Sequence, residues 1–283
     1  MFKRQRSGAV LCASCGKLVG AQDEVCLNCG RRNPGMYGFA PVLRKLGQDL
    51  GFTSIILWGC AALYIATLLV DTRGIRMSGM SILAPSLQSL FLFGASGALP
   101  LFGYGRWWTV LSAGWLHGGL LHIAFNMMWV RQLAPAAAEL YGVPRMAIIY
   151  SVSSICGFLL SSSAGLVFGA SPIPFLRGAQ FTIGASAPIF GLLGALVLFG
   201  RRGGSSHISG QAMGYAVIMF VFGLVMPGID NFAHLGGFLG GYGTARFLDP
   251  LKPEKISHLL AAVTLLGLTA LSILASLLQG IAF

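Results

Sequence analysis

The sequence predicts an all-α polytopic membrane protein of seven spanning helices, preceded by a small four-cysteine zinc ribbon. Three observations lead there. Of 283 residues, 55% are hydrophobic and only 10% are charged, which is a membrane composition. Long uncharged runs separate the few charges, and a span needs about 20 mostly apolar residues. Polarity concentrates at the N-terminus, where four cysteines form two Cys-x-x-Cys pairs.

Residues 1–35 make up the polar module. Its core, "LCASCGKLVGAQDEVCLNCGRR", carries Cys12, Cys15, Cys26 and Cys29, and a glycine follows each pair. Glycine there allows the tight knuckle that points two thiolates at one metal, and four thiolates at this spacing suit tetrahedral Zn2+. Two disulfides are the alternative, and they require an oxidising compartment. So short a module has little core of its own, so the ion supplies its folding energy. Four cysteine ligands leave no open coordination position, so the ribbon is expected to be structural and to dock a cytoplasmic protein partner.

Residues 36–51 follow as a linker and a short stretch, "VLRKLGQDLG", expected to lie on the membrane surface. The membrane domain spans 52–248, and 249–283 add a connection and a further C-terminal helix. The uncharged runs are Phe52–Val70, Trp107–Val130, Met146–Leu176, Gly178–Gly200, Gly203–Ile229, Asn231–Ala245 and Ile256 to the C-terminus. The sixth is the shortest, and it crosses if Arg246 snorkels. Between Asp71 and Arg106 the chain is apolar but broken by Pro85, Pro100 and many glycines. It reads as an interfacial loop with short helices, with a buried eighth span as the competing reading. No cleavable signal peptide is visible, so the first span is expected to anchor the mature protein. Cys60 and Cys156 fall within spans and read as small core residues.

The net charge of +11 raises the question of nucleic acid, and its distribution answers it. With the N-terminus in the cytoplasm, only Arg73, Arg76, Arg106 and Arg177 of the 19 basic residues face outward. That asymmetry follows the positive-inside rule and needs no polyanionic partner. Odd helices then run outward, even helices run inward, and the C-terminus lies outside. A bacterial inner membrane is the default location.

Ionisable and polar groups inside spans are costly and therefore mark functional candidates. The second span contains "HGGLLHIAFN", with His117, His122 and Asn126; the last two are four apart and share a helical face. The fourth opens "FTIGASAPIFGLLGAL". Proline is tolerated in a first helical turn, so Pro188 predicts a helix starting near Ser186, with free N–H groups and the positive dipole end there. The sixth carries His234 one turn inside its start, in "AHLGGFLGG". Small-xxx-small pairs on both helices, Ala187, Gly191 and Ala195 on the fourth span and Gly236, Gly237, Gly240, Gly241 and Gly243 on the sixth, allow close packing. Ser186 and His234 then start at similar depth, as a nucleophile beside its general base.

Taken together, these three segments resemble the rhomboid family of intramembrane serine proteases. "HGGLLHIAFN" is similar to that family's second-helix motif, "GASA" to its GxSG serine motif and "AHLGGFLGG" to its sixth-helix histidine motif. The resemblance covers about Phe52 to Leu248 and implies a six-helix rhomboid-like bundle, to which the cysteine module and a seventh transmembrane helix are additions. It implies that Ser186 is the nucleophile and His234 the base. It also implies that His122, Asn126 and the Ser186 N–H form the oxyanion hole, with His117 supporting and no cofactor for catalysis. Membrane-anchored protein substrates, cut within the lipid bilayer, follow from the same resemblance.

Two residues depart from the pattern. Ala187 replaces the motif's last glycine, and its methyl is expected to narrow the oxyanion hole or the substrate subsite. "RWWTVL" offers Trp108-Thr109 where a Trp-Arg pair is common in the family. Asp230, four residues before His234, is in reach to orient it, but the resemblance implies a dyad. A catalytically inactive relative that binds transmembrane clients is the rival reading. A transporter is disfavoured because no Asp, Glu, Lys or Arg marks an ion path inside a span.

Overall fold

The computed structural model describes residues 4–44, 49, 51–78, 81–173 and 176–281. Much of the stretch expected on the membrane surface, Val42–Gly51, falls outside them. The cysteine module is built on a two-stranded antiparallel hairpin, β1 (Ala9–Leu11) and β2 (Leu18–Gly20), paired Val10 to Val19. A short helix, α1 (Ala40–Arg44), follows.

The first long helix is α2 (Phe52–Val70). After it comes the irregular segment that the prolines and glycines foretold, with one addition. A second hairpin, β3 (Arg76–Ser78) with β4 (Ser81–Ala84), precedes α3 (Leu87–Phe93), a π-turn at Leu99–Gly103 and α4 (Thr109–Ser112). Ser86 caps α3 by accepting the Ser89 N–H at 3.1 Å. Among the described residues the fold is therefore mainly helical, with two small hairpins.

Six more long helices complete the bundle: α5 (Leu120–Tyr141), α6 (Val143–Phe168), α7 (Ser186–Arg202), α8 (Ser206–Val225), α9 (Asn231–Phe247) and α10 (Ile256–Ile281). Among the described residues, α2, α6, α8 and α10 are long and apolar enough to cross a membrane on their own. Of the other three, α5 carries His122, Asn126, Arg131 and Glu139, and α7 and α9 are 17 residues long each. Helix α5 begins at Leu120, well after the uncharged run opens at Trp107, and continues through Arg131 to Tyr141. The preceding Trp107–Gly119 stretch is spent on α4 and a 3-10 turn at Ala113–Trp115.

Helix α7 lies at the centre, with every residue from Ala187 to Leu198 buried. Its neighbours α6 and α9 approach so closely that side chains would be excluded. A Cβ on Gly237 would come within 2.8 Å of the Ala187 carbonyl carbon, and one on Gly236 within 2.9 Å of the Gly157 Cα. Lipid tails provide no hydrophobic force between helices, so such backbone contact supplies the van der Waals attraction that holds them. By contrast, α8 buries only Ala212, Ala216 and Gly223.

Candidate functional site

Two helix starts and one helix face build the site. Helix α7 begins at Ser186 after Gly184, whose φ of +124° is a backbone state open to glycine. Among the described residues no side chain caps this helix, and Pro188 in its first turn lacks an N–H. The first intrahelical bond runs from the Ile189 N–H to the Ala185 carbonyl at 3.0 Å. The positive end of α7 therefore coincides with the Ser186 hydroxyl.

The segment entering α7 is held from outside. Thr182 and Ser96 exchange backbone bonds at 2.8 and 3.1 Å, and the Gly184 N–H donates to the Ala113 carbonyl at 2.9 Å. Helix α9 starts with Asp230 as its cap, accepting the Ala233 N–H at 3.0 Å. One turn in, the His234 ring stacks on Phe190, with centroids 4.2 Å apart and 13° between planes. Phe190 and Ser186 are four residues apart on one face of α7. The imidazole is thus laid along the face that Ser186 heads, buried to 5% exposure.

His122 and Asn126 reach the same place from α5. A Cβ on Gly184 would fall 2.6 Å from His122 Nε2 and 3.7 Å from Asn126 Nδ2. The Gly118 N–H donates to His122 Nδ1 at 3.2 Å. A neutral imidazole that accepts at Nδ1 carries its proton on Nε2, so the edge facing Gly184 is a donor. His117 is fully buried, its ring edge-on to His122 at 5.2 Å. It backs the ring rather than facing the site.

Two sequence-based concerns resolve differently. The Ala187 methyl does not narrow the pocket: it is fully buried against Gly157 of α6, in the seam with α9. Helical geometry turns position 187 about 100° from Ser186, which sends its side chain toward α6. Asp230 does not orient His234 either. Its carboxylate accepts from Thr182 Oγ1 at 2.6 Å, from Ser161 Oγ and from the Ala233 N–H, while His234 Nδ1 has no hydrogen-bond partner among the described residues. Asp230 instead ties α9, α6 and the segment entering α7 together. Nothing in the residue spacing signalled that clasp, because its partners lie 48 and 69 residues away.

The cysteine module forms a second candidate centre. The Sγ atoms of Cys12, Cys15, Cys26 and Cys29 all lie within 4.8 Å of one another. The Cys12–Cys29 and Cys15–Cys26 pairs are 3.7 Å apart. A tetrahedron with ~2.3 Å metal–sulfur bonds has edges of about 3.8 Å, whereas a disulfide needs ~2.05 Å. The four residues could therefore hold one metal ion. The knuckles arise as the glycines suggest: Gly16 and Gly30 turn at φ +71° and +70° and donate to the Cys12 and Cys26 carbonyls. Burial pushes the Cys12 and Cys29 thiols up. For Cys15, burial is outweighed by hydrogen bonds led by the Lys17 backbone, and its thiol falls to about 7.

The Rhomboid domain family model matches residues 104–250. Among curated proteins, "Rhomboid protease GluP" of Bacillus subtilis (strain 168) is 35% identical over 185 residues, covering 64% of this chain and 34% of that protein. "RHOMBOID-like protein 7" of Arabidopsis thaliana is 32% identical over 168 residues, covering 57% and 49%. "Inactive RHOMBOID-like protein 8" of the same plant is 29% identical over 168 residues, covering 58% and 44%. The chain thus spans half or less of the length of these relatives.

Two outcomes are expected. Replacing Asp230 with Ala removes a helix cap and two hydroxyl bonds, and should lower stability by about 2 kcal/mol or more, with Asn intermediate. Thermal unfolding in one detergent measures this. For the module, protons on Cys12 and Cys29 compete with metal because only thiolates bind it. Affinity should therefore rise with pH, by roughly tenfold or more from pH 6.5 to 8, in chelator competition.

Proposed function

The chain belongs to the rhomboid family, and from that premise we propose that it is an intramembrane serine endopeptidase that cleaves membrane-anchored proteins through a Ser186–His234 dyad. It is an integral, multi-pass membrane protein, as its family and its apolar helices require. The observation that carries the reading is the stacking of His234 on Phe190, along the α7 face that Ser186 heads.

In this reading His234 takes the Ser186 proton as Oγ attacks a peptide carbonyl. The oxyanion is met by the His122 Nε2–H, the Asn126 side-chain amide and the Ser186 N–H at the positive end of α7. His234 then protonates the leaving amine, and water hydrolyses the acyl-enzyme. Since Asp230 is engaged elsewhere, the base acts without a third residue. Burial of the Ala187 methyl in the helix seam supports activity over the inactive, client-binding alternative.

Substrate would enter beside α8. That helix buries little, and its end turns through Met226, Pro227 and Gly228, the last at φ +84°. An edge contact between Trp129 and Tyr215, 5.2 Å between centroids, ties α8 to α5. Helices that unwind readily are the preferred substrates. The N-terminus and cysteine module face the cytoplasm of a bacterial cell, the site opens to the outer side, and the module's ion is structural Zn2+.

Reconstituted with a model transmembrane substrate, the wild type should cut and Ser186→Ala should fall to background. His122→Ala and Asn126→Ala should each lose on the order of 100-fold in rate. Serine-independent cutting, or no cutting by either form across varied substrates, contradicts the proposal.

A further inference from the structure

The cysteine module is not free of the membrane domain. Arg31, two residues after Cys29, donates through Nη1 to the Glu254 carboxylate on the connector between α9 and α10. Both side chains are buried, at 10% and 3% exposure. Beside them Gly30 closes on Pro253: a Cβ there would come within 2.9 Å of the proline ring.

From the other side, the connector is held by the membrane domain. Arg145, near the start of α6, donates through Nη2 to the Lys252 and Pro253 carbonyls at 2.7 and 2.9 Å, and its Nε bonds His258 Nδ1 at 3.2 Å. Gly142, where α5 reverses into α6 at φ +85°, makes room for Glu254; a Cβ there would lie 2.7 Å from Oε1. The connector is thus clamped between the module and the α5–α6 corner.

We propose that the docking partner of the four-cysteine module is the α9–α10 connector of its own chain, and that a metal ion on the cysteines maintains this contact. The physical reason lies in the position of Arg31. The Cys26 N–H donates to the Arg31 carbonyl at 2.8 Å, so the second knuckle fixes the backbone that aims the guanidinium. A module this small, with little apolar beyond Val10, Ala13 and Ala21 buried besides its cysteines, has too little core to hold that knuckle once the ion is gone. Glu254 would then be left as a buried carboxylate facing Arg145 without its nearest partner, a costly arrangement that opens the connector to water.

Hydrogen exchange of the full chain in lipid nanodiscs tests this, with peptides covering 249–258 as the readout. Stripping metal with a chelator under reducing conditions should speed exchange there by roughly tenfold or more, and re-adding Zn2+ should reverse it. Arg31→Met and Glu254→Gln should each give the same rise with metal present, and the double variant should not exceed the larger single effect. Unchanged connector exchange when the module's own amides lose protection on chelation would overturn the proposal. So would additive effects of the two substitutions. The chelation arm uses the wild-type chain, so its outcome does not depend on any variant folding.

Discussion

The contact on which the rest depends is the backbone approach of α7 to α9 at Ala187 and Gly237, with Gly157 of α6 closing the third side. At Gly237 a Cβ would come within 2.8 Å of the Ala187 carbonyl carbon, so no side chain fits at that point. That closeness brings Phe190 flat against the His234 imidazole. In a bilayer the association rests on van der Waals contact and hydrogen bonds, so each glycine at the seam acts by admitting a neighbouring backbone. A methyl is tolerated at position 187 because Gly157 faces it; the two residues are a matched pair.

Polar groups around this seam divide by what they hold. Asp230 is fixed by bonds to α6 and to Thr182, His122 by the Gly118 N–H at the entry to its own helix, and Arg106 is likewise tied down. Its guanidinium bonds the Phe91 and Ser276 carbonyls at 2.6 and 3.0 Å and lies 4.1 Å from the Phe91 ring centroid. With Trp108, which donates to Ser276 Oγ at 3.0 Å, it binds α10 to the loop that also holds Thr182 and Gly184. Helix α10 is therefore anchored at both ends, to Arg145 near the module and to Arg106 near the site. The seventh helix is a part of the scaffold rather than an appendage.

Much of this was legible in the chain. The uncharged runs located the long helices, Pro188 marked the start of α7, and the Cys-x-x-Cys-Gly pairs announced a four-thiolate cluster. Local chemistry governs each of these. Other features depend on distant neighbours and left no local trace. The start of α5 at Leu120 was masked because Trp107–Gly119 is apolar yet packs as short turns. The direction of the Ala187 methyl follows from the three-helix crossing, not from its motif. The Arg31–Glu254 pair joins residues 223 apart, and the β3–β4 hairpin lies in a segment whose prolines and glycines signalled only irregularity.

The central claim is that packing places an activated hydroxyl at the head of α7 beside the imidazole of α9. Reaction of intact membranes with a serine-directed fluorophosphonate, followed by mass-spectrometric mapping, tests it most directly. The account predicts one modified residue, Ser186, with labelling lost when His234 is replaced by Ala. Labelling that is unaffected by that replacement, or that falls on another serine, would contradict it.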